Sequence, residues 1–460
     1  MVNQREEALN YAHAQYDKFL ESLCSLVSIP SISTDPDQNS AMIQAASWLK
    51  SELLSVGLHE AQVFTTEGHP IVFSSFNTSR PDAKTVLIYG HYDVQPADPL
   101  SEWKTKPFQP TLLEDNLYGR GASDMKGQVI ACIKGVESIL KFGDPGVNIK
   151  FLIEGEEEIG SPSLEKYLES YRDLLRCDVI LNADGGMFSE CIPSITYSLR
   201  GIAFFELRIY GPSHDLHSGS YGGAVHNPAQ VLCELIAGMH DANGKVALPG
   251  FYDKVRALSS EEREAIVQLP ITDQTYIDET GVTALWEGEK GFTPVERIGA
   301  RPTLEINGMI SGFTGQGTKT IIPAFAMAKI STRLVADQIP EDVRMQILDY
   351  LNNQVPNTVK WELIPLHGGA PTISDRDHPT VKAMVAALDS VWNVKPVFVR
   401  NGGSVPVITN MQKILGVNSV NTGFGLPDDR IHSPNEKLHL PTWRKGIDAI
   451  IHFISNISAA

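Results

Sequence analysis

The chain has 460 residues, 42% of them hydrophobic and 20% charged, which is typical of a folded globular protein with two or three domains. Asp and Glu number 55 against 38 for Lys and Arg, and the net charge of −17 argues against a nucleic-acid or anionic-membrane partner. No apolar run is long enough to span a membrane, and the first ten residues do not resemble a signal peptide.

Helical and strand patterns alternate along the first 195 residues, which predicts an α/β domain with a mostly parallel sheet flanked by helices. Apolar residues spaced three and four apart predict helices at 8–27, 42–56, 126–140 and 164–175. Short apolar runs predict strands at 71–76, 86–89, 149–153 and 179–181.

The pattern changes near residue 195. Strands are predicted at 202–210, 303–306 and 326–334, helices at 228–240 and after Pro340, and a charged, irregular region at 250–300. This order predicts a smaller α+β domain inserted into the first. The α/β pattern returns after residue 371 with a helix, a strand and a last helix from Thr442. We therefore expect one domain over 1–195 and 371–460 and an inserted domain over 196–370.

The first candidate site residues follow the predicted strand 86–89, where α/β sheets place their ligands. His91 and Asp93 lie two positions apart, so the carboxylate could reach the imidazole and raise its basicity toward a metal. Asp124 stands in a glycine-rich turn before a predicted helix, either as a helix N-cap or as a carboxylate that bridges two metals. Taken one at a time, ordinary loop and cap positions explain these residues better.

Three adjacent carboxylates, Glu156, Glu157 and Glu158, follow the predicted strand 149–153. Such a run is commonly a solvated face, but here one glutamate could bind a cation while its neighbour accepts a proton from water. Asp184 follows another predicted strand, and His432 lies near the C-terminus. Each of these two residues alone is typical of a turn.

Taken together, these histidines and carboxylates fall at strand ends or adjacent turns of one predicted sheet. Mixed imidazole and carboxylate ligands without a thiolate suit zinc, or cobalt or manganese in its place. Five protein ligands exceed what one open tetrahedral catalytic site requires, and they suit two metals that share a bridging carboxylate. The pattern therefore predicts two divalent ions per chain, zinc being the first choice.

Six motifs, in this order, resemble those of the M20 metallopeptidase family, and most closely its carnosine-dipeptidase-like branch of cytosolic non-specific dipeptidases. The resemblance spans nearly the whole chain. The motifs are His91-Tyr-Asp-Val-Gln-Pro, Gly121-Ala-Ser-Asp-Met-Lys-Gly, Glu157-Glu-Ile-Gly-Ser, Asp184, Asp215-Leu-His-Ser-Gly-Ser-Tyr-Gly-Gly and His432-Ser-Pro-Asn-Glu-Lys. The resemblance implies that 1–195 and 371–460 form a catalytic di-metal domain. The inserted 196–370 would be a lid that carries the contact of a homodimer.

The resemblance also implies a role for each metal-binding candidate. His91 and Asp184 would hold one metal, Glu158 and His432 would hold the other, and Asp124 would bridge the two.

Further roles follow from the same resemblance. Glu157 would be the general base and Asp93 the partner of His91. Because Glu156 is also a glutamate, the base and the ligand could each lie one residue earlier in the run. The Ile-Gly-Ser that follows the run favours Glu157 as the base and Glu158 as the ligand. The peptide bond between Asp124 and Met125 is expected to be cis.

The inserted domain would supply substrate contacts. His217 resembles a histidine that reaches into the partner subunit's site and donates a hydrogen bond to the oxyanion of the reaction. Arg333 resembles a clamp for a terminal carboxylate. The other predicted substrate-binding residues are Thr320, His367, Gly403 and Ser404.

The function implied by the resemblance is hydrolysis of the amide bond in a dipeptide or small peptide with a free carboxylate. The metals would polarise the carbonyl and acidify a bridging water, Glu157 would carry its proton to the leaving amine, and the lid would exclude bulk water. One alternative is an aminoacylase or deacylase that acts on N-acyl amino acids; the long segment around 245–300 favours the dipeptidase. The other is a non-catalytic binding protein, against which the complete set of ligands argues. Five cysteines without a CxxC pair favour a cytoplasmic location.

Overall fold

The computed structural model describes residues 2–403 and 406–459. The chain divides into two compact units. The first contains Met1–Tyr197, Ser374–Val399 and Asn410–Ala460, and the second contains Ser198–Ile373 and Arg400–Thr409. Both units combine helices with sheets, so the mixed α/β class predicted from the sequence is confirmed.

Six strands form the main sheet of the first unit. Their spatial order is Glu60–Phe64, Ile71–Phe76, Asn148–Glu154, Thr85–His91, Val179–Asn182 and Ser419–Asn421. The last four are parallel to one another, whereas the first two pair in antiparallel fashion. Nearly all residues of the central strands are buried, as expected for a parallel sheet covered on both faces. A small antiparallel sheet is formed by Thr111–Leu113, Asn116–Tyr118 and Lys437–His439.

The helices of the first unit pack around one hydrophobic core. They are Val2–Val27, Asn39–Ser55, Gln128–Leu140, Leu164–Ser170, Pro379–Trp392 and Leu440–Ala459. Gln128–Leu140 is buried along almost its whole length and contacts both Val2–Val27 and Leu440–Ala459. Gly135 permits this close approach, because a Cβ atom there would lie 2.7 Å from Ile450. This packing fixes the position of Gln128–Leu140, which directly follows the turn that contains Asp124.

The second unit is built on a four-stranded antiparallel sheet. Its spatial order is Thr303–Ser311, Phe325–Leu334, Gly201–Tyr210 and Lys360–Gly369. The helices Pro228–Ala237 and Pro340–Gln354 cover one face of this sheet through a second hydrophobic core. Leu216–His217 pairs with Ile321–Ile322 in a separate two-stranded sheet. A three-stranded sheet of Ser194–Leu199, Thr372–Ile373 and Val397–Asn401 contains the chain segments that pass between the units.

The expectation of an irregular region at 250–300 is wrong. This region contains three short helices, Ser260–Val267, Asp273–Thr280 and Pro294–Ala300. Each begins with a capping box, in which an N-cap hydroxyl and the third helical residue exchange hydrogen bonds with the backbone. The Ser-x-x-Glu and Thr-x-x-Glu spacings at Ser259 and Thr293 were the available sequence signals.

Other elements also differ from the sequence prediction. The helix predicted at 164–175 ends at Ser170, and the elements that escaped prediction include Glu60–Phe64, Lys360–Gly369 and Pro406–Leu415. All five cysteines are free, but the expectation that they are mostly buried is wrong: only Cys132 is buried, and Cys191 and Cys233 are exposed. Among the helices of the described residues, none is long and apolar enough to cross a bilayer.

Candidate metal centre

Three of the predicted metal ligands lie at or just beyond the carboxyl ends of neighbouring parallel strands. His91 is the last residue of its strand, while Glu158 and Asp184 lie four and two residues beyond the ends of theirs. These three strands are adjacent and parallel, so their carboxyl ends meet at one edge of the sheet. The topology thereby collects residues that are far apart in the sequence.

The five predicted ligands form two groups that share Asp124. In the first group, Nε2 of His91 lies 3.2 Å from Oδ1 of Asp124 and 3.9 Å from Oδ1 of Asp184. In the second, Nε2 of His432 lies 2.9 Å from Oδ2 of Asp124 and 3.2 Å from Oε2 of Glu158. The ligand atoms of each group lie within 4.8 Å of one another. Asp124 thus presents one carboxylate oxygen to each group, which is the arrangement of a bridging ligand.

The separations between donor atoms fit a transition-metal site. With bonds of about 2.0–2.1 Å to nitrogen and oxygen, two ligands of tetrahedral zinc lie ~3.3 Å apart. The imidazole-to-carboxylate separations in the two groups range from 2.9 to 3.9 Å and bracket that value. Each group also combines one imidazole with carboxylates, which suits zinc, manganese or cobalt. The residues present therefore fit two divalent ions.

The electrostatics of the cluster support the same conclusion. Burial raises the pKa of Asp184 well above its usual range, and the charge of Asp124 adds to this. Burial also raises the pKa of Glu157 to about 7. Burial lowers the pKa of His91, but its hydrogen bonds to Asp124 and Asp93 more than compensate and leave it well above its ordinary value. Divalent cations between these groups would stabilise the crowded carboxylates and leave the imidazoles neutral, as ligands must be.

Asp93 is fully buried and contacts both sides of the cluster. The backbone amides of Glu157 and Glu158 donate to its two carboxylate oxygens at 3.2 and 3.0 Å. Nδ1 of His91 lies 3.0 Å from the backbone oxygen of Asp93 and 3.4 Å from Oδ1. If Nδ1 carries the proton and donates it to Asp93, Nε2 keeps a lone pair that points toward Asp124 and can bind a metal. One residue therefore orients the histidine and positions the glutamate turn.

The three adjacent glutamates have different environments. The buried Glu156 accepts hydrogen bonds from the backbone amides of His69 at 2.8 Å and Ser163 at 2.9 Å. Glu158 belongs to the second ligand group. The charges of His91, Glu158, Asp124 and Asp93 act on the Glu157 carboxyl group, so it is close to the cluster. The geometry thus assigns Glu156 to backbone anchoring and leaves Glu157 next to the ligands.

Asp124 lies in a wide helical turn, Ala122–Gly127, directly before Gln128–Leu140. The peptide bond between Asp124 and Met125 is cis, as predicted. The fully buried carboxylate of Glu436 accepts hydrogen bonds from three backbone amides of this turn and its flank, and from the side chain of Arg120. The C-terminal motif therefore supports the shared ligand as well as supplying His432.

His432 has a left-handed backbone conformation, with φ of 59°. This region is uncommon for residues other than glycine and requires support from the surroundings. Asn435 supplies part of that support: its Oδ1 accepts the amide of Lys104 at 2.6 Å, and its Nδ2 donates to the carbonyl of Glu102 at 2.8 Å. The half-exposed His432 side chain is thus held from a segment that is itself anchored.

Two predicted substrate residues lie side by side in the second unit. His217 is exposed at the end of Leu216–His217, and Thr320 is exposed directly before Ile321–Ile322. The backbone amide of Ser218 donates to the carbonyl of Thr320 at 3.0 Å. Although they are far apart in the sequence, the two residues lie at the same two-stranded sheet, His217 within it and Thr320 beside it.

The remaining predicted substrate residues of the second unit lie elsewhere on it. Arg333 is half-buried near the end of Phe325–Leu334. His367 is exposed, and its ring stacks on Phe204 with the ring centroids 5.1 Å apart.

Gly403 lies in a loop directly after Val397–Asn401. The carbonyl of Gly403 accepts the backbone amide of Arg200 at 3.0 Å. Nε of Arg200 donates to the carbonyl of Gly402 at 3.1 Å. Ser404 lies outside the described residues. Arg200 therefore holds this loop by two hydrogen bonds.

Comparison with known proteins identifies the family. Residues 87–456, more than half of the chain, match the description "Peptidase family M20/M25/M40". The Cys-Gly metallodipeptidase of Candida albicans is 32% identical over 452 residues, covering 93% of this chain and 92% of that protein. The chain belongs to peptidase family M20.

Two further comparisons agree with this assignment. The Beta-Ala-His dipeptidase of Homo sapiens is 32% identical over 454 residues, covering 94% of this chain and 89% of that protein. The solved structure of a di-peptidase from Saccharomyces cerevisiae covers 100% of both chains, with a TM-score of 0.80 and 28% identity. The M20 resemblance and the prediction of a peptidase hydrolase are confirmed. Membership of this family implies use of divalent metal, for which the two ligand groups are the candidate site.

Sequence reasoning missed three residues that support the M20 site. Glu436 holds the turn of Asp124, and Nε2 of Gln95 donates to Oε2 of Glu158 at 2.8 Å. Both belong to motifs that were recognised, but motif membership does not reveal which backbone or side chain they contact. Arg200 carried no signal beyond its position before a strand.

Proposed function

We propose that this chain is a di-metal dipeptidase with Glu157 as its general base. The observation that carries the proposal is the position of Asp124 between two ligand groups, with Glu157 directly before Glu158 of the second group. His91 and Asp184 would hold one ion, Glu158 and His432 the other, and Asp124 both. Two divalent ions bound there, zinc or else manganese or cobalt, would polarise the scissile carbonyl and lower the pKa of the attacking water.

Glu157 has the environment that proton transfer near neutral pH requires. Without metal, burial raises its pKa to about 7. Two bound cations would lower this pKa and keep the carboxylate ionised, ready to accept a proton. Its carboxylate would take the proton of the attacking water and then deliver it to the leaving amine. Asp93 would position this step, because it holds the backbone amides of Glu157 and Glu158. His91 would be kept in the tautomer that leaves Nε2 available as a ligand.

The second unit would bind the peptide and contribute to the transition state. Arg333 would clamp the terminal carboxylate in bidentate fashion. His217 would donate a hydrogen bond to the oxyanion that develops at the carbonyl, in the partner subunit's site. We propose Thr320, His367, Gly403 and Ser404 as further substrate contacts. In this scheme the first unit is the catalytic domain, and the second is a lid and dimer contact in a cytoplasmic homodimer.

The substrate class follows from the relatives. The two curated relatives are named for Cys-Gly and for Beta-Ala-His, so they share a two-residue substrate with a free carboxylate and differ in its side chains. We infer that this chain also hydrolyses dipeptides. Deacylation of N-acyl amino acids would use the same amide and carboxylate, so the experiment must include both substrates.

The test is turnover of matched substrates by the purified chain. Cys-Gly, β-Ala-His, Ala-Gly and Ala-Phe are compared with N-acetylglycine and N-acetylphenylalanine after addition of Zn²⁺, Mn²⁺ or Co²⁺. We expect dipeptides to be hydrolysed with kcat/KM at least tenfold above the N-acetyl amino acids. Equal or faster cleavage of the N-acetyl substrates would make the chain a deacylase. No turnover of any substrate by a sample with two bound metals per chain would support a binding protein instead.

A further inference from the structure

One segment of the first unit, 422–429, contacts the surroundings of three candidate metal ligands. It follows the strand Ser419–Asn421 and leads into the loop that contains His432. Before it reaches that loop, it packs beside the turns of Asp184 and Asp124. Asp184 belongs to the first ligand group, His432 to the second, and Asp124 to both. The segment therefore supports ligands of both candidate metal sites.

On the side of Asp184, the contact is made through backbone atoms. The amide of Thr422 donates to the carbonyl of Asn182 at 3.0 Å, and the amide of Met187 donates to the carbonyl of Gly425 at 2.8 Å. Asn182 and Met187 lie on either side of Asp184 in the sequence. The segment is therefore hydrogen-bonded to the chain both before and after this ligand.

Glycines let these two stretches of backbone approach closely. A Cβ atom on Gly185 would lie 2.6 Å from the carbonyl oxygen of Thr422, and one on Gly423 would overlap with the carbonyl oxygen of Gly185. Direct backbone contact therefore sets the distance between the Asp184 turn and the 422–429 segment. Such a contact leaves little freedom for either side to shift.

On the side of Asp124, the contact is made by one buried carboxylate, that of Asp429, which is 1% exposed. Its Oδ2 accepts the hydroxyl of Ser123 at 2.7 Å and the amide of Leu426 at 2.8 Å. Its Oδ1 accepts Nζ of Lys437 at 3.0 Å. Because Ser123 directly precedes Asp124, this carboxylate joins the segment to the turn of the shared ligand.

The position of Asp429 in the chain connects this contact to His432, three residues further on. Both Arg430 and His432 have left-handed backbone conformations, with φ of 57° and 59°. Residues other than glycine persist in this region only where the surroundings hold them. Asp429 anchors the loop at one end, and Asn435 anchors it at the other. The direction of the His432 side chain depends on both anchors.

We infer that Asp429 is a positioning residue of the candidate metal centre. Through Ser123 it fixes the turn of Asp124, and through the chain it fixes the start of the loop that contains His432. The inference rests on the proposed di-metal function, because it concerns how tightly these ligands hold their ions. Without this carboxylate, Asp124 and His432 would lose a common support, and zinc would bind more weakly.

The substitution Asp429→Asn tests the inference, with zinc affinity measured by competition with a chromophoric chelator. Asparagine keeps the size but replaces one acceptor oxygen by an N–H donor and removes the charge. We expect zinc to bind ~10–100-fold more weakly, the usual effect of residues that orient ligands. Asp428→Asn is the matched control. The Asp428 carboxylate also lies 3.2 Å from Nζ of Lys437, but it is 74% exposed, so this variant should keep the wild-type affinity.

Ser123→Ala removes the same contact from its other end. If Asp429 acts through Ser123, the double variant should lose less zinc affinity than the product of the two separate losses. High zinc concentrations should also restore turnover of Ala-Gly by Asp429→Asn, because a weakened site refills, whereas a damaged fold does not respond to metal.

Unchanged zinc affinity in Asp429→Asn, or an equal loss in Asp428→Asn, would overturn the inference. If Asp429→Asn does not fold, unchanged zinc affinity in Ser123→Ala would overturn it instead. A wild type that binds two zinc ions but hydrolyses no dipeptide would contradict the proposed function alone, since the comparison of affinities still decides the role of Asp429. A wild type that binds no zinc would contradict both.

Discussion

The carboxylate of Glu436 accepts a hydrogen bond from the backbone amide of Asp124 at 3.1 Å. The same carboxylate accepts the amides of Ser123 at 3.0 Å and Gly121 at 2.9 Å, and Nη1 of Arg120 at 2.7 Å. Each of its oxygens therefore has two donors, and the side chain is fully buried. This contact joins the motif that contains His432 to the turn that presents Asp124, the residue shared by the two candidate ligand groups.

Replacement of Glu436 by Gln should weaken metal binding. The amide group would turn N–H donors toward backbone donors, and residues that orient ligands typically affect metal affinity ~10–100-fold. Loss of the charged partner of Arg120 should also lower the free energy of unfolding by about 3–5 kcal/mol. Competition with a chromophoric chelator measures the first effect and urea unfolding the second. Glu67→Gln, an exposed carboxylate, is the control; equal zinc affinity in both variants would show that Glu436 does not position Asp124.

Glu157→Gln should lower kcat by ~10²–10⁴-fold while both metals stay bound, because the amide keeps the shape but cannot accept a proton. Glu156→Gln is the matched control on the adjacent residue. It should lower stability, since Glu156 holds two backbone amides, with a smaller effect on kcat per folded molecule. Steady-state kinetics and metal analysis of both variants measure these effects. Loss of a metal in Glu157→Gln together with loss of turnover in Glu156→Gln would shift the assigned roles by one residue.

Removal of metal should abolish activity, and Zn²⁺ or Mn²⁺ should restore it. The sharing of Asp124 predicts a specific pattern of stoichiometry. Asp184→Ala or Glu158→Ala should leave one tightly bound ion per chain, whereas Asp124→Ala should weaken both sites. Elemental analysis after dialysis gives these numbers. Full turnover by a verified metal-free sample, or loss of one ion only in Asp124→Ala, would contradict the shared-ligand arrangement.

His217→Ala should reduce kcat by ~10²–10³-fold, the usual cost of one oxyanion donor. If His217 acts in the partner subunit's site, activity should reappear when this variant is mixed with Glu157→Gln and the subunits exchange. One site of the mixed dimer then has both an intact Glu157 and an intact His217. Activity is measured across mixing ratios. If no ratio restores activity although exchange is demonstrated, His217 acts within its own chain or only in folding.

Much of the fold was predictable because hydrophobic spacing reports secondary structure directly. Ile71–Phe76 has the predicted bounds, and the parallel strands that end near His91 and Asp184 were recognised. The short helices at 250–300 were missed because a helix of seven or eight residues shows too few turns for an apolar period. Their capping boxes were the stronger local signal.

The sequence by itself determined the family, the residue types of the candidate metal ligands and the strand ends at which three of them lie. These properties depend on side-chain chemistry and local periodicity, both of which are written in the residue order. Only the tertiary structure decided that each oxygen of Asp124 faces a different candidate ligand group, that Glu156 binds backbone amides, and that Glu436 holds the Asp124 turn. These carboxylates are chemically alike, and their partners are largely backbone amides, which every residue but proline carries. Their roles therefore depend on which amides the fold brings within hydrogen-bond distance.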